Sequence, residues 1–121
     1  MSLLFSSCFR GSQASSEKRL ARAKALTPSL TKIEVECDTL DQVSEAADAG
    51  ADVILLDNMD AALMREAVAI VDGRLELEAS GGITLETVRE KAQSGVDYIS
   101  VGRMTQSAPA ADIGLDVSLS T

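Results

Sequence analysis

The chain has 121 residues, too few for a closed (β/α)₈ barrel, which usually needs roughly 250 residues. Hydrophobic residues make up 45% of the chain and aromatic residues only 2%, so alanine and branched aliphatic side chains must build most of the core. The net charge of −8 argues against a nucleic-acid partner, because binding to phosphate backbones needs clustered lysine and arginine.

Cysteine usage and hydropathy bear on the compartment. Cys8 and Cys37 are too few for a disulfide framework, which favours a reducing, cytoplasmic setting. No apolar run approaches the ~20 residues of a membrane span, so we expect no membrane partner. Residues 1–9 are partly apolar but lack the basic start and long apolar core of a signal peptide. Residues 1–14 follow no periodic pattern and are expected to form an unmatched tail.

Helix signals recur along the chain. The first predicted helix covers about residues 15–26 and ends before Pro28, because proline disfavours helical backbone at the residue before it. Three later helices each have a candidate capping residue at the start and a glycine after the end. The starts are Thr39 (in a capping box with Gln42), Asp60 and Thr84, and the glycines are Gly50, Gly73 and Gly95. The last of these helices is predicted to direct Leu85, Val88 and Ala92 inward.

Two predicted strands, over residues 33–38 and 75–79, alternate acidic with apolar residues. The acidic positions are Glu34, Glu36 and Asp38 in the first strand and Glu76 and Glu78 in the second. In an ordinary antiparallel sheet the face that carries the acidic residues would be exposed to solvent. In a barrel the same residues would form a layer of carboxylates that point into the interior. Residues 113–119 predict a further strand with one apolar face.

Residues 49–59 and 94–104 form a weak internal repeat, x-G-x-D-x-I-x-x-x-x-M. The repeated unit reads as helix, glycine, strand and loop, which predicts parallel strands joined by right-handed crossovers. The predicted fold is therefore α/β: a partial (β/α) barrel with four parallel βα units plus a C-terminal strand.

Glu36 and Asp57 are the leading candidates for a site, because they fall at the carboxyl ends of successive predicted strands, where α/β barrels place their active sites. Two carboxylates can hold Mg²⁺, and the metal can neutralise a diphosphate. The alternative is that both are polar strand ends wet by solvent, and the spacing alone does not decide between the two.

Two glycine turns follow at matching points of later units. Ser80, Gly81 and Gly82 lead into the helix predicted at Thr84, and bare backbone N–H groups there could cradle a phosphate. The alternative is a tight turn that needs positive φ and binds no ligand. The second turn, at residues 101–103, is a weaker signal because a lone glycine after a strand is common.

Five strings occur in one order: KIEVECDTLDQ, ILLDNM, LEASGGIT, GVDYISVGRMTQSAPA and DIGLDVSL. Together they resemble quinolinate phosphoribosyltransferase, also called nicotinate-nucleotide pyrophosphorylase (carboxylating), over about residues 16–119. The resemblance implies a glycosyltransferase of NAD biosynthesis that uses Mg²⁺. Members form nicotinate mononucleotide, CO₂ and pyrophosphate from quinolinate and phosphoribosyl pyrophosphate, and their C-terminal domain is an open α/β barrel.

The resemblance also assigns roles to residues. Glu36 and Asp57 correspond to the acidic residues that lie against the ribose and the metal. The substrate-binding turns correspond to Ser80, Gly81 and Gly82 and to Val101, Gly102 and Arg103. Arg103 and Gln106 depart from the residues common in the family, and an arginine there would either contact phosphate or crowd the turn.

By the same resemblance, residues 15–121 are the C-terminal part of the barrel domain, without the basic residues that bind quinolinate. We therefore expect an incomplete, inactive fragment, and the alternative is a non-catalytic phosphate-binding or assembly fragment. The acidic layer would lack cationic partners and the sheet would have open edges, so we expect a homo-oligomer.

Overall fold

The computed structural model describes residues 2–5 and 13–101. These residues form one parallel sheet of five strands in the order β1-β2-β3-β4-β5, with helices between the strands. The strands are β1 (Ser2–Phe5), β2 (Lys32–Cys37), β3 (Val53–Asp57), β4 (Glu76–Ser80) and β5 (Tyr98–Ile99). The helices are α1 (Gln13–Leu26), α2 (Leu40–Ala49), α3 (Ala61–Val71) and α4 (Val88–Ala92). The predicted series of parallel βα units is confirmed.

Strand β1 corrects the expectation for the start of the chain. We predicted an unmatched tail over residues 1–14, but Ser2–Phe5 pairs in parallel with β2, with Leu3 opposite Ile33, and α1 already begins at Gln13. Four residues are too few to show a periodicity, so the strand is defined by its partner rather than by its own sequence. The strand predicted over residues 113–119 lies outside the described residues.

The starts of α2 and α3 and the end of α2 follow the predicted signals, whereas the left-handed residue that ends α3 is Asp72 rather than Gly73. Thr39 Oγ1 accepts a hydrogen bond from Gln42 N at 3.3 Å, and Gln42 Oε1 accepts one from Thr39 N at 3.3 Å, which completes the capping box. Gly50 ends α2 in the left-handed region, with φ of 89°. Asp60 caps α3 through a 2.8 Å hydrogen bond from Leu63 N. Local capping chemistry therefore sets where these two helices begin.

Helix α4 starts later than predicted. Thr84 and Thr87 exchange reciprocal hydrogen bonds in the geometry of a capping box, Thr84 N to Thr87 Oγ1 at 3.0 Å and Thr87 N to Thr84 Oγ1 at 3.3 Å. Thr84 O also accepts a 2.8 Å hydrogen bond from Val88 N, so Thr84 opens a turn over residues 85–87 and the regular helix follows at Val88. The prediction that Leu85 and Ala92 point inward was wrong, because Leu85 is 90% exposed and Ala92 is exposed as well.

One face of the sheet packs against the helices and forms the core. Its strand residues are Ile33, Val35, Cys37, Ile54, Leu56, Leu77 and Ala79, and the helices add Leu20, Val43, Ala46, Met64, Ala67 and Val71. All of these side chains are buried. As the composition predicted, the core is aliphatic, with alanine where helix and sheet approach closely.

The opposite face carries the acidic residues. One row across the central strands holds Glu36, Leu55 and Glu78, and the next row holds Glu34, Val53 and Glu76. The four glutamates are half-buried, so the predicted layer of carboxylates on one face is present. In the described part of the chain, no helix is both long and apolar enough to cross a membrane.

The internal repeat has a structural role. Asp52 accepts a hydrogen bond from Ile33 N at 2.8 Å and donates its own N–H to Ile33 O at 3.0 Å. In the second copy, Asp97 makes the same pair of bonds with Leu77, at 2.8 and 2.9 Å. Each aspartate therefore ties the start of its strand to the preceding strand in the sheet.

Candidate active site at the carboxyl edge of the sheet

Three carboxylates meet at the carboxyl edge of the sheet. Oxygen atoms of Glu36, Asp38 and Asp57 all lie within 4.8 Å of one another. The register explains this arrangement, since Cys37 pairs with Leu56 and the next residues, Asp38 and Asp57, are therefore neighbours. Glu36 and Asp57 are half-buried and Asp38 is exposed. The structure thus brings the two predicted acidic residues together.

Asp38 was not among the predicted site residues. The signal was available, because the alternation of β2 places it on the same face as Glu36, one step beyond the strand end. Three negative charges at this spacing repel one another: at an effective dielectric constant of about 20, two charges about 5 Å apart repel by roughly 3 kcal/mol. An oxygen-only donor set of this kind fits a hard divalent cation such as Mg²⁺.

The first glycine turn lies directly against Asp57. A β-carbon placed on Gly81 would lie 2.7 Å from Asp57 Oδ1 and 2.5 Å from Asn58 Oδ1, a separation that real side chains essentially never show. Gly81 and Gly82 also have positive φ, 80° and 62°. Glycine is therefore needed at residue 81 both for its backbone conformation and for the close approach of the carboxylate.

Ser80 joins the turn to the neighbouring strand. It ends β4 opposite Asp57 in the register, and its carbonyl accepts a 3.1 Å hydrogen bond from Asn58 N. Ser80 and Gly81 are half-buried and Gly82 is exposed. The predicted Ser80, Gly81 and Gly82 turn and the acidic cluster therefore form one continuous edge.

An open cleft of about 510 Å³ lies beside this edge, between the starts of α3 and α4. Its lining includes the Gly81 and Gly82 turn, two basic residues, Arg65 and Lys91, and two acidic residues, Asp60 and Glu90. The glycine turn is thus reachable from solvent, and Arg65 and Lys91 are the lining side chains that can attract an anionic ligand.

The second predicted turn is only partly described. Val101 is half-buried and follows β5, where Ser100 N donates to Ala79 O at 2.9 Å. Gly102 and Arg103 lie outside the described residues, so their contribution stays a prediction.

The acidic layer behind the cluster contains one strongly perturbed group. Burial raises the pKa of Glu34 to about 7, and the negative charge of Glu78 and a hydrogen bond to it act in the same direction. Ser100 Oγ also donates a hydrogen bond to Glu78. Glu34 is therefore partly protonated near neutral pH, and its carboxyl group can donate a hydrogen bond to Glu78.

The expectation that these carboxylates lack cationic partners was wrong for Glu76. Lys32 Nζ lies 2.7 Å from Glu76 Oε2, and this hydrogen bond raises the pKa of Lys32. Tyr98 donates a further, longer hydrogen bond to Glu76 at 3.5 Å. Cys37, by contrast, takes no part in the site, because burial raises the pKa of its thiol to about 12.

Comparison with known proteins gives a consistent result. Residues 6–116 match the family model described as quinolinate phosphoribosyl transferase, C-terminal domain. The probable nicotinate-nucleotide pyrophosphorylase [carboxylating] of Bacillus subtilis (strain 168) is 41% identical over 99 residues, covering 82% of this chain.

Solved structures agree with the sequence match. The nicotinate-nucleotide pyrophosphorylase of Francisella tularensis superposes with a TM-score of 0.75 at 34% identity, over 92% of this chain and 38% of its own. The enzyme of the same name from Ehrlichia chaffeensis gives a TM-score of 0.76 at 37% identity, over 88% of this chain and 38% of its own.

The match extends over a limited part of those relatives. The chain covers 34% of the length of the B. subtilis protein, about a third of it. Within that part, the parallel βα architecture agrees with the solved structures of these relatives. The chain therefore belongs to the quinolinate phosphoribosyltransferase family, of whose C-terminal domain it is a part.

Proposed function

We propose that this chain provides the metal-binding and phosphate-binding part of a phosphoribosyltransferase site, and that it binds phosphoribosyl pyrophosphate together with Mg²⁺. One observation carries the proposal: the carboxylates of Glu36, Asp38 and Asp57 converge within 4.8 Å, and the Gly81 turn lies directly against Asp57. A carboxylate cluster and a phosphate turn at one edge match a ligand that combines a metal-bound diphosphate with a sugar phosphate.

Each group of site residues has a proposed role that follows from its chemistry. Glu36, Asp38 and Asp57 would hold the cation, which supplies charge neutralisation for the diphosphate leaving group. Asp57 would also accept hydrogen bonds from ribose hydroxyls. The N–H groups of Gly81 and Gly82 would donate to phosphate oxygens, since neither residue has a side chain to cover its backbone. The second turn, at Val101, Gly102 and Arg103, is proposed to hold phosphate as well.

The full reaction of the family is proposed here only for a complete site. In it, quinolinate and phosphoribosyl pyrophosphate give nicotinate mononucleotide, CO₂ and pyrophosphate. Arg65 and Lys91 line the cleft beside the glycine turn, and on the sheet face that bears the glutamates Lys32 already pairs with Glu76. We therefore propose that the 121 residues bind the phosphoribosyl substrate but do not complete the transfer alone.

A second candidate is a non-catalytic role in phosphate binding or assembly. This role needs only the carboxylate cluster and the glycine turn, both of which the described residues provide. Turnover is tested by incubating the purified chain with quinolinate, phosphoribosyl pyrophosphate and Mg²⁺ and measuring nicotinate mononucleotide. Binding without product agrees with both candidates, whereas product that disappears in Asp57→Asn would overturn the proposal that the chain does not complete the transfer alone.

Calorimetric titration with phosphoribosyl pyrophosphate in the presence of Mg²⁺ tests the proposal directly. Binding is expected for the unmodified chain and a loss of at least tenfold in affinity for Asp57→Asn. Glu66→Gln is the matched control, because it removes one negative charge from an exposed position on α3. No binding to the unmodified chain, or equal binding to Asp57→Asn, would overturn the assignment.

A further inference from the structure

We propose that Asn58 is a positioning residue, whose left-handed backbone holds the Asp57 carboxylate against the Gly81 turn. The inference rests on the proposed function, because the edge it shapes is the one assigned to phosphoribosyl pyrophosphate. Asn58 itself would act through its neighbours rather than through contact with the reacting atoms.

The geometry around Gly81 carries the first step. Successive side chains of an extended strand point to opposite faces, so Asp57 and Asn58 would ordinarily diverge. Here Oδ1 of Asp57 and Oδ1 of Asn58 lie 2.7 and 2.5 Å from the same point, the position of a β-carbon on Gly81. Asn58 has φ of 54°, and this left-handed conformation turns the two adjacent side chains toward one point.

Backbone contacts fix the turn on both sides of Asn58. Its N–H donates to Ser80 O at 3.1 Å, which ties the residue to the end of β4. The next residue, Met59, is only 1% exposed and anchors the chain in the core. Asp60 then caps α3 through Leu63 N. The surrounding structure thus determines a conformation that most residues disfavour.

The Asn58 side chain is not what holds this conformation. It is exposed, and its carboxamide forms no hydrogen bond to another residue in the part of the chain that the structure describes. Asparagine tolerates the left-handed region better than alanine, and glycine tolerates it best. The backbone role therefore predicts that Asn58→Gly is tolerated and Asn58→Ala is not.

The test compares these two substitutions in the full 121-residue chain. Affinity for phosphoribosyl pyrophosphate with Mg²⁺ is expected to fall about tenfold in Asn58→Ala, the factor that corresponds to the energy of forcing alanine into the left-handed region. In Asn58→Gly it is expected to stay within about twofold of the unmodified chain. Asp72→Ala is the matched control, because Asp72 also has a left-handed backbone, with φ of 49°, but lies at the far end of α3.

A ligand-free measurement keeps the inference separate from the proposed function. Hydrogen exchange of the residue 58 amide reports its bond to Ser80 O, and the protection is expected to fall in Asn58→Ala but to persist in Asn58→Gly and Asp72→Ala. If the unmodified chain binds no phosphoribosyl pyrophosphate, the proposed function fails and this protection pattern alone decides the inference. Equal behaviour of the alanine and glycine variants, in exchange or in affinity, would overturn it.

Discussion

Asp57 and Gly81 belong to neighbouring strand ends and touch across them: a β-carbon on residue 81 would lie 2.7 Å from Asp57 Oδ1. The acidic cluster and the glycine turn are therefore in close contact through these two residues and form one site. A side chain introduced at residue 81 would displace the carboxylate as well as strain the turn. Substitutions at Gly81 should consequently affect folding and ligand binding together.

Gly81→Ala is expected to lower the free energy of unfolding by roughly 2–4 kcal/mol, because a left-handed backbone and a steric clash act together. Binding of phosphoribosyl pyrophosphate with Mg²⁺ should fall by at least tenfold. Chemical denaturation measures the first effect and calorimetry, on protein shown to be folded, measures the second.

Gly73→Ala is the matched control for this substitution. Gly73 has a similar φ of 74°, but a β-carbon there would meet nothing within 4 Å. Gly73→Ala should lower the free energy of unfolding by only about 1–2 kcal/mol, because only the backbone conformation opposes it, and ligand binding should not change. Equal effects of the two substitutions would show that the contact with Asp57 has no energetic weight.

The pKa of Glu34 predicts a pH dependence of stability. Burial and the neighbouring Glu78 raise this pKa from 4.5 to about 7. A carboxyl group with a higher pKa in the folded chain takes up protons on folding, so its stabilisation is complete below pH 4.5 and is lost as the pH rises through about 7. Glu34→Gln should remove this dependence, because an amide donates to Glu78 at any pH.

Thermal melts at several pH values between 4.5 and 8 measure this difference. The melting temperature of Glu34→Gln minus that of the unmodified chain should increase steadily as the pH rises to about 7 and should then stay constant. Glu66→Gln removes an exposed carboxylate and should show a nearly constant difference. A pH-independent difference for Glu34→Gln would contradict the raised pKa of Glu34.

The meeting of Glu36 with Asp57 was predictable from the sequence. Alternation in residues 33–38 gives the face of Glu36, and parallel pairing brings the carboxyl ends of consecutive strands together. Local signals were equally informative where the interaction is local, as in the capping box of Thr39 and Gln42. These features depend on residues close in sequence or on a regular pattern.

Other features depend on contacts that the sequence does not display. Strand β1 is defined by its pairing with Ile33 and its neighbours, about thirty residues away. The left-handed backbone of Asn58 follows from its bond to Ser80 and from its buried neighbour Met59.

Self-association of the chain is a separate prediction. In the described part of the chain, β1 and β5 each pair on one side only, and Tyr98 on β5 is 52% exposed. Unpaired strand edges favour pairing with another chain. We propose that the isolated chain forms a homo-oligomer, and sedimentation velocity over a range of protein concentrations should show species larger than 12.7 kDa. A compact monomer with a cooperative melt would contradict this.

The two repeat aspartates should contribute measurably to stability. Asp52→Ala leaves Ile33 N without its 2.8 Å acceptor, and Asp97→Ala does the same for Leu77 N. Each substitution should lower the free energy of unfolding by about 1–3 kcal/mol, the usual result of leaving a partly buried donor unpaired. Asp52→Asn and Asp97→Asn retain an acceptor oxygen and should lose less.

Asp48→Ala is the control for these variants, since it also removes an aspartate that makes a side-chain contact. Asp48 pairs with Arg74 at 3.1 Å, but both side chains are 47% exposed, so the pair should contribute at most about 1 kcal/mol. Urea denaturation of the three alanine variants ranks them. If Asp48→Ala proves as destabilising as Asp52→Ala and Asp97→Ala, the hydrogen bonds from Ile33 N and Leu77 N to these aspartates do not stabilise the fold as we propose.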